Sequence, residues 1–137
     1  MGSKSFPYVS FEYGSPARPL VPFDFPKGKS VFCLIDSGAS ISIISESFRQ
    51  HEEMEFRQKF NDNKCEGVCG KNCIDFIGVT KEIPVKIDGI GKEFMLSFNV
   101  MSAQNKVQTP IIGQNFFEQA TVSFRKEKDT MHTVIES

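Results

Sequence analysis

The sequence has no tryptophan and only two tyrosines and two histidines. It has no apolar run approaching the roughly 18 residues that a membrane-spanning helix needs. Neither charge sign is in excess: 16 basic and 17 acidic side chains leave a formal net charge of -1. That balance argues against a module that binds nucleic acid through an electrostatic footprint. Cysteine is also sparse, at Cys33, Cys65, Cys69 and Cys73. The last three are spaced C-x3-C-x3-C, which matches neither the C-x2-C pairs of zinc ribbons nor a disulfide framework. A zinc module recruiting His51 or His132 is therefore the weakest reading, and neither metal nor cofactor is expected. Reduced thiols point to an intracellular, cytoplasmic protein.

Met1-Gly2-Ser3-Lys4-Ser5 leads into no apolar run, unlike a secretory leader. Its first three residues resemble a tag remnant, so the natural chain is expected to be longer. The division expected is a lead-in over 1–20 and one folded domain over 21–137. A chain of 137 residues suffices for one domain with a real core and is too short for two full ones. What the chain has in plenty is phenylalanine, 14 residues. Phe has no polar handle, so these rings belong in a core or an interface.

The pattern along the chain predicts a mostly β domain with one or two short helices. Tyr8 to Tyr13 alternates like a short strand, and Pro19, Pro22 and Pro26 keep the next stretch extended. Val31 to Ile35 is an apolar run of strand length, expected to be buried on both faces. Ile41, Ile43 and Ile44 form a second strand-like piece. Ser45 is a candidate N-cap for a helical or irregular stretch reaching Phe60. Asn61 to Asn72 is polar, with Gly67 and Gly70, and reads as a hairpin tip. Ile74 to Ile77 resumes a strand that Gly78 closes. Ile83 to Ile87 and Phe94 to Val100 alternate around Asp88-Gly89-Ile90-Gly91, which predicts a hairpin. Pro84 should face no ladder partner. Pro110 to Gly113 reads as a short strand, Gln114 to Gln119 as a helix, and Thr121 to Phe124 and Thr130 to Ile135 as a final pair.

The chemistry concentrates in Cys33-Leu34-Ile35-Asp36-Ser37-Gly38-Ala39-Ser40. An apolar strand delivers an aspartate into a tight Ser-Gly turn, where Gly38 admits close backbone approach and Ser37 can hydrogen-bond nearby. Taken alone, Asp-Ser-Gly is also ordinary surface-turn chemistry. In context the stretch resembles the active-site motif of the retroviral-type, or retropepsin-like, aspartic proteases. Ile111-Ile112-Gly113-Gln114-Asn115-Phe116-Phe117 resembles that family's second signature. The two motifs, the polar hairpin between them and their order cover roughly residues 20–135.

The resemblance implies a retropepsin-like lobe with a flap hairpin, active as a homodimer on a peptide or polyprotein substrate, with no nucleic-acid or membrane partner. Asp36 would be the catalytic acid/base. Ser37 and Gly38 would frame it, and Gly38, Ala39 and Ser40 would line the cleft with Gly67, Val68, Cys69 and Gly70 of the flap. Two carboxylates flanking one water share a proton, because like charges at close range do not both ionise readily. The chain has one Asp-Ser-Gly, so the second carboxylate would come from another copy. Gln114 and Ser40 stand where viral members carry an ion pair, and the chain runs on past Phe124, where many viral lobes stop. A catalytically weak or inactive dimerisation and peptide-binding module of a larger protein is the alternative. Retrotransposon and cellular parents both remain open.

Overall fold

The computed structural model describes residues 2–66, 74–102 and 109–137. Twelve strands and two short helices follow one another among them. They are β1 (Ser3–Pro7), β2 (Leu20–Asp24), β3 (Ser30–Ile35), β4 (Ser42–Ser45), α1 (Glu46–His51), β5 (Phe56–Glu66) and β6 (Ile74–Thr80). The chain continues with β7 (Ile83–Ile87), β8 (Ile90–Leu96), β9 (Phe98–Met101), β10 (Ile111–Ile112), α2 (Gln114–Phe117), β11 (Thr121–Glu127) and β12 (Thr130–Glu136). Neither helix is long and apolar enough to cross a membrane.

The strands form two sheets. The larger runs β5-β6-β9-β4-β10-β3-β2-β7-β8, and the smaller runs β1-β12-β11. The two-residue β10 is inserted between β3 and β4, parallel to the first and antiparallel to the second. This insertion brings the C-terminal ends of β3 and β10 to one place, and those ends carry both motifs. Phe23, Phe94 and Phe116 are fully buried and meet edge to face, with ring centroids 5.3 Å (Phe23–Phe116) and 4.9 Å (Phe94–Phe116) apart. Phe116 thereby pins α2, which is too short to be stable by itself.

Several elements differ from those the sequence predicts. The first strand forms at Ser3–Pro7, ahead of Tyr8, because its backbone completes the sheet beside β12; Val9 makes only an isolated bridge to Arg18. β3 is not buried on both faces: Cys33 and Ile35 point into the core, while Phe32 is 40% exposed and meets Phe11 edge to face. The helix opened by Ser45, whose side chain accepts from the Phe48 amide, stops at His51. Glu53 then takes a left-handed backbone (φ 54), and the Arg49 guanidinium ties the Met54 carbonyl at 2.7 Å. From Phe56 the chain is a strand to Glu66, since pairing with β6 overrides the weak helix preference of its Arg, Gln and Lys residues.

Gly78 lies inside β6 instead of ending it. A Cβ there would stand 2.6 Å from the Gln58 carbonyl oxygen and 2.7 Å from the Phe56 ring, so the bare backbone lets β5 cross closely. The expected single strand Phe94 to Val100 breaks at Ser97 into β8 and β9, and β9 is buried throughout. The β7–β8 hairpin is as expected, with Gly89 at φ 89 in its turn. Pro84 stands opposite Met95, whose amide and carbonyl bond outward to the Gln119 side chain, so the missing N–H costs the ladder nothing.

Replacing Phe116 with alanine should lower unfolding free energy by about 3–5 kcal/mol, read from urea midpoints at unchanged m-value. Burial pushes the Cys33 thiol far above its ordinary pKa. Peptide mapping after alkylation at pH 8 should therefore find Cys33 unmodified in the native protein and modified once it is unfolded.

Candidate active site

Asp36 follows the last residue of β3 and is held from both sides. Its amide donates to the Ile112 carbonyl at 3.0 Å, which extends the β3–β10 pairing by one bond. Its carboxylate Oδ1 accepts the Gly38 amide at 2.9 Å, and its carbonyl accepts the Ala39 amide at 3.2 Å. This is the side-chain-closed turn that aspartate favours. The side chain is half-buried at the mouth of the turn, and among the described residues no cation pairs with it.

The second motif grips the first from behind. The Gln114 amide donates to the Ala39 carbonyl at 2.9 Å, and Gln114 Nε2 donates to the Ser37 carbonyl at 2.7 Å. Gly113 allows this: a Cβ on it would stand 2.7 Å from the Ala39 oxygen and 2.8 Å from the Ile41 oxygen. Asp36, Ser37, Gly38 and Ala39 thus share one turn beside Gln114, and Ser40 leads from it towards β4. Gly67, Val68, Cys69 and Gly70 lie outside the described residues. The antiparallel β5–β6 pair that leads to them is present, closing with Glu66 opposite Ile74.

Two residues that the sequence pattern does not single out, Ser42 and Asn115, complete the site. Ser42 Oγ accepts the Gly113 amide at 3.0 Å and donates to Asn115 Oδ1 at 2.7 Å. Asn115 Nδ2 in turn donates to the Ser97 carbonyl at 2.9 Å. Ser42 is wholly buried, so the network ties β4, β8–β9 and α2 to the back of the Asp36 turn. The signal in the sequence is a polar residue in the strand-like piece Ile41 to Ile44, and one in the second motif to which no role was given. No cluster of His, Cys, Asp or Glu suited to a metal occurs among the described residues. Cys33 is buried and far above its usual pKa, so its thiol is no ligand as it stands.

Asn115→Ala should destabilise the fold by about 2 kcal/mol, since Ser42 and the Ser97 carbonyl lose buried partners. Gln114→Ala, at an exposed side chain, should cost under about 1 kcal/mol in the same urea titration.

No protein-family model and no curated protein matches the sequence. Solved structures do. The chain is similar to the retroviral protease-like domain of Ddi1 from Leishmania major, with 16% identity and a TM-score of 0.57 over 85% of this chain and 94% of that one. It is also similar to a retropepsin-like aspartic protease from Rickettsia conorii, with 14% identity and a TM-score of 0.53 over 99% of this chain and 94% of that one. Identity this low speaks for the fold alone, and the fold agrees with the one expected from the two motifs: the chain is a mostly β lobe of the retropepsin-like type.

Proposed function

We propose that the protein is an aspartic endopeptidase whose two carboxylates are the Asp36 side chains of two identical copies. The observation that carries the reading is the Asp36 turn itself: an unpaired carboxylate, fixed by the Gly38 amide and braced from behind by Gln114 and the Ile112 carbonyl. Two such carboxylates around one water share a proton, so one acts as base toward the water while the other protonates the carbonyl oxygen of the peptide. Their titration belongs to the pair.

Ser37 and Gly38 would frame the pair. Gly38, Ala39 and Ser40 would face the peptide from below, and Gly67, Val68, Cys69 and Gly70 would cover it from the β5–β6 hairpin, partly by strand addition. The substrate would be an extended peptide or a polyprotein segment. One feature favours the second reading, a peptide-binding module with little turnover: Gln114 grips the turn within its own chain, where viral members use an ion pair.

Asp36→Asn should abolish cleavage of a peptide library, by at least about 100-fold, while preserving the fold. Cleavage by the wild type should be favoured in acid and blocked by a pepstatin-type statine. If the wild type cleaves no better than Asp36→Asn while both hold peptide equally, the binding reading replaces the catalytic one.

A further inference from the structure

Between β1 and β2 the chain makes a loop that takes no part in the Asp36 turn. Its neck is closed by Val9 and Arg18, the amide of each donating to the carbonyl of the other at 2.9 Å. Gly14 turns the tip with φ 84, and Tyr13 beside it is fully exposed. Among the described residues, the hydrogen bonds of residues 10–17 run within the loop. The Ser15 amide and Oγ donate to the Glu12 carbonyl at 3.0 and 2.8 Å. Ser10 Oγ lies 3.0 Å from that carbonyl and 2.9 Å from the Ser15 carbonyl. The loop meets the large sheet through Phe11, whose ring stands edge to face on Phe32. A segment held by a few exposed bonds of its own opens at little cost to the rest of the fold.

The loop carries Ser15-Pro16-Ala17-Arg18, a serine followed by proline and then by a cation. Pro16 has no amide to leave unpaired in an enzyme's pocket, and it biases Ser15 towards the extended backbone that kinases bind. Arg18 supplies the positive charge by which such kinases choose among substrates. The chain has one other serine or threonine before proline, Thr109, and there Ile112 stands where a cation would be needed. The Pro110 carbonyl also accepts the Leu34 amide at 2.9 Å, which binds that segment into the large sheet. The surroundings of Ser15 suit a phosphate as well. Ser15, Ser10 and Arg18 line one cleft of about 300 Å³ with Leu20. Among the described residues no ion pair involves Arg18. Its guanidinium is therefore available to a phosphate on Ser15, with the Ser10 hydroxyl as a second donor.

We propose that Ser15 is the acceptor for a proline-directed serine/threonine kinase, and that Arg18 holds the phosphate it receives. The kinase transfers the γ-phosphoryl group of ATP to Ser15 Oγ; the hydroxyl proton passes to the kinase's base, and ADP leaves. The esterified Oγ has no proton left to donate, so its bond to the Glu12 carbonyl is lost. A charge of about −2 replaces the neutral hydroxyl, and the loop is refastened from its tip at Glu12 to its neck at Arg18. That neck adjoins the strand that delivers Asp36, because the Pro19 carbonyl accepts the Ile35 amide at 3.0 Å. No residue of the Asp36 turn takes part, so the site stands whether or not the lobe cleaves peptides.

The test uses the native full chain carrying Asp36→Asn, so that self-cleavage does not enter. It is incubated with ATP and a cyclin-dependent kinase–cyclin complex, beside a synthetic peptide of residues 8–20. Intact mass and peptide mapping should find one phosphate, on Ser15, gained at a rate comparable with the peptide's. Ser15→Ala should lose it altogether and Pro16→Ala most of it. Phosphorus NMR then follows the second ionisation of the phosphate, ordinarily at a pKa of about 6. Pairing should lower it in the native protein, and Arg18→Gln, phosphorylated to completion, should return it to the value of the urea-unfolded chain. Modification of the peptide but not the native protein, of neither, or of Thr109 instead overturns the proposal. A Ser15 phosphate whose titration Arg18→Gln leaves unchanged overturns the role of Arg18.

Discussion

The absence of a side chain at Gly113 is the constraint on which the rest of this lobe depends. Two stretches of backbone, one leaving β3 and one leaving β10, must cross closely enough for the Gln114 amide to reach the Ala39 carbonyl. Any Cβ at Gly113 would collide with the Ala39 and Ile41 carbonyl oxygens, which are backbone atoms and cannot swing aside. With the crossing in place, the polar groups it would otherwise bury find partners: the Gly113 amide finds Ser42, Ser42 finds Asn115, and Asn115 finds the Ser97 carbonyl. Each would cost an unpaired buried group if one link were missing. The turn carrying Asp36 sits on top of this knot, which explains its fixed geometry without any help from a charge.

The phenylalanine excess follows from the same economy. β10 and α2 are both very short, so neither is held by its own hydrogen bonds. Large rings that need no polar partner hold them in place. Phe116 locks α2 against Phe23 and Phe94, while Phe25 bridges Phe48 of α1 and Phe98 of β9. A tyrosine or tryptophan at these points would bring a buried donor that needs a partner.

The features legible in the sequence are those whose residues suit few alternative structures. Asp36-Ser37-Gly38 and Ile112-Gly113 can be read because an apolar strand ending in such a turn is unusual, and Asp88-Gly89 because a two-residue hairpin turn demands it. The illegible ones are decided by partners distant in the chain. Ser3-Lys4-Ser5 is polar and strand-poor, and becomes β1 only because β12 lies beside it. Arg57, Gln58 and Lys59 prefer helix weakly, and β6 overrules them. Phe94 to Val100 alternates without interruption, yet at Ser97 the chain leaves β7 to run beside β4 and β6. Ser42 and Asn115 read as one polar position in a strand and one in a short helix until the crossing at Gly113 brings them together.

The β8 edge shows how the lobe treats an outer strand that no other strand pairs with. Guarding an edge with a glutamine, as at Met95, costs one side chain and removes a hazard. Under the protease reading a single copy has one carboxylate, and assembly supplies the second. Dimerisation then obeys mass action, so the fraction of complete sites rises with local chain concentration.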